Sequence, residues 1–180
     1  MEKKRACGRM DPRVLTTAAM LGALSVVIGI FCKNYLNFGN GMFRVTFENF
    51  PIIMAGILFG PGVGCSVGLV SDMISYFLST QSFALSPIVT LGAALVGLVS
   101  GVVARYVVKG GGAFRIVLSV SLAHLVGSLL VKTYGIYAYY QLSYGMMLLY
   151  RLPIYTVIAV TESFFLAVIF KYKAFQKFMR

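Results

Sequence analysis

Asp72, Ser75, Tyr76 and Ser79 recur at i, i+3, i+4 and i+7 within an otherwise apolar run, so they share one face of a helix. Ser121, His124, Ser128 and Lys132 repeat the pattern in a later run, and Arg151, Tyr155 and Glu162 share a face through Ala159 in the last one. Ionisable side chains are costly inside apolar spans and normally turn toward protein rather than lipid. Three such stripes, converging, would build one internal polar site. Its chemistry would be recognition of a polar ligand, with Asp72 favoured as a residue that contacts it. The structural alternative is an ion pair stitched between helices, Asp72 with Lys132 for example, or His124 bonding a neighbouring helix.

Other chemistries lack their motifs. Gly110-Gly111-Gly112 is followed by Ala113-Phe114-Arg115 rather than the Lys-Ser/Thr that holds a phosphate. HExxH, GxSxG and any dense His/Cys set are missing, so no catalytic residue, metal or cofactor is expected. Cys7, Cys32 and Cys65 are scattered without disulfide or zinc spacing. Uphill movement of a solute would therefore draw on a partner or an ion gradient. An intramembrane enzyme using Glu162 or Asp72 as acid or base has no motif to support it.

These residues must be positioned by membrane spans. The 180-residue chain is 59% hydrophobic and 12% charged, against roughly a quarter charged in soluble domains. That excludes a soluble enzyme, a disordered tail and a disulfide-stapled module. Apolar runs extend over about Val14–Phe31, Phe50–Phe59, Val63–Leu78, Pro87–Val108, Ile116–Tyr134 and Met146–Phe170. Residues 1–13 form a basic cytoplasmic tail, and 14–180 a single all-α domain of six transmembrane helices with both termini cytoplasmic. The second run is short, and a re-entrant hairpin with the third, leaving four crossings, is the alternative. Between the first two runs, Phe43, Val45 and Phe47 alternate with Arg44, Thr46 and Glu48, so Lys33 to Asn49 reads as a structured external loop with a strand or hairpin arm. Glu48 and Asn49 serve polar edges of a ligand or cap the second helix; capping is preferred.

The net charge of +11 sits beside the spans, in Lys3, Lys4, Arg5, Arg9 and Arg13, in Arg105, Lys109 and Arg115, and in Lys171, Lys173, Lys177 and Arg180. That is the positive-inside arrangement of cytoplasmic loops, not the continuous stripe of a nucleic-acid surface. Tyr134, Tyr137, Tyr139, Tyr140 and Tyr144 form an interfacial belt or the wall of a pocket mouth. Ala18, Ala19, Gly22, Ala23, Ser25 and Gly29 in the first run, and Ala93, Ala94, Gly97 and Gly101 in the fourth, let helices of this chain or another approach closely.

The chain resembles the substrate-capture (S) components of energy-coupling factor (ECF) vitamin transporters, of the folate type, over nearly its whole length. The resemblance rests on the basic tail and Ala19-x-x-x-Ala23, then on Arg44-Val-Thr-Phe-Glu-Asn-Phe-Pro-Ile-Ile-Met-Ala-Gly-Ile-Leu-Phe-Gly-Pro-Gly62 and Gly68-Leu-Val-Ser-Asp72. Thr90-Leu-Gly-Ala-Ala-Leu-Val-Gly97, which points to folate, and Arg151-Leu-Pro153 complete it. It implies a multi-pass protein of a prokaryotic-type plasma membrane that captures a vitamin from outside. It further implies partnership with a transmembrane coupling subunit and two cytoplasmic ATPases, with Ala19 and Ala23 as the docking surface and the loop after the first helix covering the pocket. A pterin edge suits Asp72, its ring suits Tyr76, Tyr155 or Phe47, and its glutamate tail suits Arg44, Lys132 or Arg151. The full set of expected ligand contacts is Arg44, Phe47, Glu48, Asn49, Asp72, Tyr76, His124, Lys132, Arg151 and Tyr155. Two alternatives stand beside folate: capture of another vitamin or a nucleobase-like precursor, or a proton- or ion-coupled secondary transporter with Asp72, Glu162 and His124 as its relay, which the lack of an inverted repeat disfavours.

Overall fold

In a computed structural model, residues 11–38, 43–44, 46–78, 87–107, 113–140 and 143–171 are described. The first helix, α1 (Pro12–Tyr35), begins two residues before the apolar run, because Asp11 accepts from the Arg13 N–H at 3.3 Å and Pro12 occupies the first turn. A two-residue antiparallel ladder follows, β1 (Asn37–Phe38) against β2 (Phe43–Arg44), with Asn37 opposite Arg44. This bears out the hairpin arm at Phe43 and Arg44; Val45 and the side chain of Arg44 lie outside the described residues.

The next helix, α2 (Asn49–Phe59), has 11 residues. At 1.5 Å per residue it reaches roughly 16 Å, about half of a hydrocarbon core. It compensates by burial, with Asn49 and every residue from Pro51 to Leu58 shielded. It stops at Gly60, whose φ of 102° suits a residue without a Cβ, and Pro61 opens α3 (Pro61–Leu78) at once. Then come α4 (Pro87–Val102), which runs on as a π-helical turn at Val103–Val107, and α5 (Ala113–Ala123), which passes through a π-helical stretch, His124–Lys132, into α6 (Thr133–Tyr140). The last helix is α7 (Tyr144–Lys171). All six expected helical rods are present, five of them long and apolar enough to cross a membrane and α2 too short to do so by length alone.

Close packing centres on α4. A methyl on Gly97 would overlap the Gly64 carbonyl of α3, and one on Gly68 would overlap the Ala93 carbonyl. Backbones touch there directly, which is how helices associate when no water is expelled between them. The α2, α3 and π-helical segments all pack on α4, whereas α7 rests mainly on α5, the π-helical stretch and α6. Polar side chains of α3 and the α5–α6 rod are thus brought to the N-terminal half of α4, with those at the start of α2 beside them.

A buried polar interior as candidate binding site

Glu48 occupies the cap position of α2 but does not cap it. Its carboxylate instead takes Lys132, whose Nζ lies 3.3 Å from Glu48 Oε1 and donates at 3.0 Å to Asn49 Oδ1. Asn49 Nδ2 in turn donates to Ser128 Oγ at 3.1 Å, one turn before Lys132. The capping expectation is therefore corrected: an ammonium buried in the bundle outweighs a backbone N–H at the helix start, because leaving the charge unmatched in low dielectric costs far more. From α1, Ser25 Oγ donates to the Glu48 carbonyl at 2.7 Å. Gly29 clears space beside it, since a Cβ there would fall 2.9 Å from Glu48 Oε2 and 3.0 Å from Ser75 Oγ.

Asp72 sits just across. Its Oδ2 accepts from Thr90 Oγ1 of α4 at 2.8 Å, so the expected alternative pairing of Asp72 with Lys132 does not form. Asp72 and Glu48 instead border the same narrow gap, lined also by Ser25, Ile52, Ser71, Ser75 and Ala93 and too tight to admit a water molecule. Two carboxylates thus border one space, with an ammonium behind one and a hydroxyl behind the other.

The remaining expected residues group nearby. His124 Nε2 is 2.6 Å from Glu162 Oε2, while His124 Nδ1 and Glu162 Oε1 have no hydrogen-bond partner among the described residues. The Tyr155 ring lies 5.9 Å from the imidazole. His124 and Tyr155 also line an apolar groove of about 630 Å³ between the α5 rod and α7, with Leu125, Val160 and Phe164 on its walls. Arg151 Nη1 donates to Thr133 Oγ1 at 3.3 Å, next to Lys132. Tyr76 and Phe47 are half-buried. Tyr137 packs against Tyr134 and Tyr144, with centroids 6.1 and 5.9 Å apart; the side chains of Tyr139 and Tyr140, and Ser79, lie outside the described residues. Of the α5 stripe, Ser121 is exposed and only His124, Ser128 and Lys132 turn inward.

Three participants were absent from the expected contacts. Thr90 is a hydroxyl near the start of an apolar helix, Ser25 falls among the small packing residues of the first run, and Glu162 belongs to the last stripe and to the relay of the secondary-transporter alternative. The sequence shows each as a polar group in a span; of their partners it names only His124, beside Glu162 in that relay. Ala19 and Ala23 are exposed on α1, while Ala18, Ser25 and Gly29 of the same helix are buried. Among the described residues no group of His, Cys, Asp and Glu is placed to hold a metal ion.

The described helices thus gather a hydrogen-bonded polar interior inside an apolar, membrane-competent bundle. The ECF transporter, substrate-specific component family matches residues 13–172, and the chain belongs to that family. It is therefore a multi-pass cell-membrane protein that serves transport as a substrate-binding subunit, not an enzyme. Its fold is similar to that of a solved structure described as FolT bound with folic acid, with a TM-score of 0.71 over 88% of this chain and 92% of that one, at 17% sequence identity. No curated protein matches the sequence.

Proposed function

We propose that this subunit captures a folate-type vitamin from outside the cell and delivers it through an ATP-driven ECF importer, whose coupling subunit and two ATPases are separate chains. The observation that carries the reading is that Asp72 and Glu48 border one buried gap, with Lys132 and Arg151 close behind, in a bundle shaped like one solved with folic acid. A pterin offers adjacent N–H donors on its pyrimidinone edge, which Asp72 accepts bidentately in place of the Thr90 hydroxyl. Tyr76, Tyr155 and Phe47 supply rings for its flat face, His124 and Asn49 polar edges, and Arg44, Lys132 and Arg151 the cations for its glutamate tail. The gap between Asp72 and Glu48 has no room even for water, whereas such a ligand needs roughly 300 Å³ or more, so binding parts the helices around Asp72. Both termini and the loop between α4 and α5 lie in the cytoplasm, since the cations gather there.

Calorimetry of the detergent-purified protein against a panel of vitamins tests this directly. Folate binds, and Asp72→Asn weakens it about tenfold or more, some 1.4 kcal/mol, with the melting temperature little changed. Unchanged affinity in that variant removes Asp72 from the site, and a different vitamin binding best replaces the ligand.

A further inference from the structure

Far from the polar interior, two arginines meet where three helix ends come together. Arg105 lies on the π-helical turn that ends the α4 rod, and Arg115 lies in the first turns of α5; that turn and α5 pack against each other. The two guanidiniums are near enough to repel each other. Arg105 extends over the bare Cα of Gly60, where a Cβ would stand 2.7 Å from Nη1, so it crosses the joint between α2 and α3. The Nε of Arg115 is buried and has no hydrogen-bond partner among the described residues.

The chain holds little to neutralise this pair. Of its five acidic residues, four are described, and each is engaged elsewhere. Asp11 caps α1, Glu48 meets Lys132, Asp72 accepts from Thr90, and Glu162 meets His124. Arg105 is exposed and Arg115 half-buried, so the two cations, with no described carboxylate engaged to them, are open to an anion from outside. Their surroundings identify its source. Tyr106, Val107, Phe114 and Val117, on either side of the pair, are exposed apolar or aromatic residues, the composition of a rod end at the membrane–water boundary. An anion arriving there comes attached to acyl chains.

We infer that Arg105 and Arg115, with the Gly60–Pro61 joint beneath them, form a binding site for the phosphate headgroup of an anionic phospholipid. Paired guanidiniums present a fork of donors matched to phosphate oxygens, and basic pockets between transmembrane helices are suited to such headgroups. The bare Gly60 lets Arg105 lie on the joint, so the lipid pins the α2–α3 hairpin to the end of α4.

Native mass spectrometry of the full-length protein, released from nanodiscs of mixed phosphatidylglycerol and phosphatidylcholine, tests the site. Phosphatidylglycerol is retained over phosphatidylcholine, and R105Q/R115Q lowers that retention roughly tenfold or more, whereas Lys171→Gln, which removes an exposed cation elsewhere, leaves it unchanged. Millimolar inorganic phosphate does not displace the lipid. Equal retention of both lipids, or wild-type retention in the double variant, overturns the inference. Displacement by inorganic phosphate alone overturns the lipid as its source. If the double variant keeps the lipid but loses the coupling subunit in co-purification, the arginines serve a protein carboxylate and the inference fails. Vitamin affinity, measured alongside, is unchanged in R105Q/R115Q, so this result and the assignment of the vitamin site stand or fall separately.

Discussion

Lys132 ends the π-helical stretch, and both of its hydrogen bonds land at the start of α2, on Glu48 and Asn49. It therefore fastens the α5 rod to a helix 83 residues away in sequence. Its ammonium is buried, and so is the Glu48 carboxylate. Breaking such a pair by removing one member exposes the other to a low dielectric without its counter-charge. Lys132→Met should lower stability by about 3 kcal/mol, read as a fall in melting temperature in detergent, while E48Q/K132M recovers most of the loss. A double variant no more stable than Lys132→Met would mean the two side chains are not coupled. The pair also marks how far single residues are legible. Spacing correctly marked Asp72, His124, Lys132 and Arg151 as inward-facing, because intramembrane cost depends only on residue type and helical face. It does not reveal Thr90 as the partner of Asp72, offers Lys132 only as an alternative, and prefers a cap for Glu48, because partners on other helices depend on packing that no local pattern encodes.

Elements were more legible than partners. Hydropathy delimits each rod to within a few residues, since lipid selects for apolar length alone, and Gly60-Pro61-Gly62 announces the break between α2 and α3. The π-helical stretch at His124–Lys132 was not visible, because a shift to i→i+5 bonding adds no signature residue. The role of the small residues can be tested by their contrast. Gly97 lies against the α3 backbone, while Gly62, one residue into α3, has nothing within 4 Å of a built Cβ. Gly97→Val forces α3 and α4 apart along their longest contact and should abolish recovery of folded, monodisperse protein in size-exclusion chromatography. Gly62→Ala should leave yield unchanged and raise the melting temperature slightly, as alanine is favoured over glycine in a helix by up to about 1 kcal/mol. Normal yield of Gly97→Val would show that the helices are not held at backbone contact.

At the scale of the whole molecule, α1 carries two small-residue faces with different destinations. Gly29 and Ser25 look inward, toward Glu48 and Ser75, and leave no room for a larger side chain. Ala19 and Ala23 look outward, one turn apart, among exposed Met20, Val27 and Phe31. A stripe left exposed among the described residues gains nothing from being small unless another helix comes up against it. The ECF family to which this chain belongs works with partner subunits, which makes that outer face the proposed docking surface for the coupling subunit. Because neither alanine touches the polar interior, A19W/A23W should fold and bind vitamin with wild-type affinity by calorimetry, yet fail to co-purify with the coupling subunit and fail to support uptake in cells. The inner face predicts the opposite pattern. Gly29→Leu should drive into Glu48 and Ser75 and weaken binding even in isolated protein. If the outer substitutions disturb binding as much as the inner one, the two faces are not distinct, and α1 contributes to the site alone.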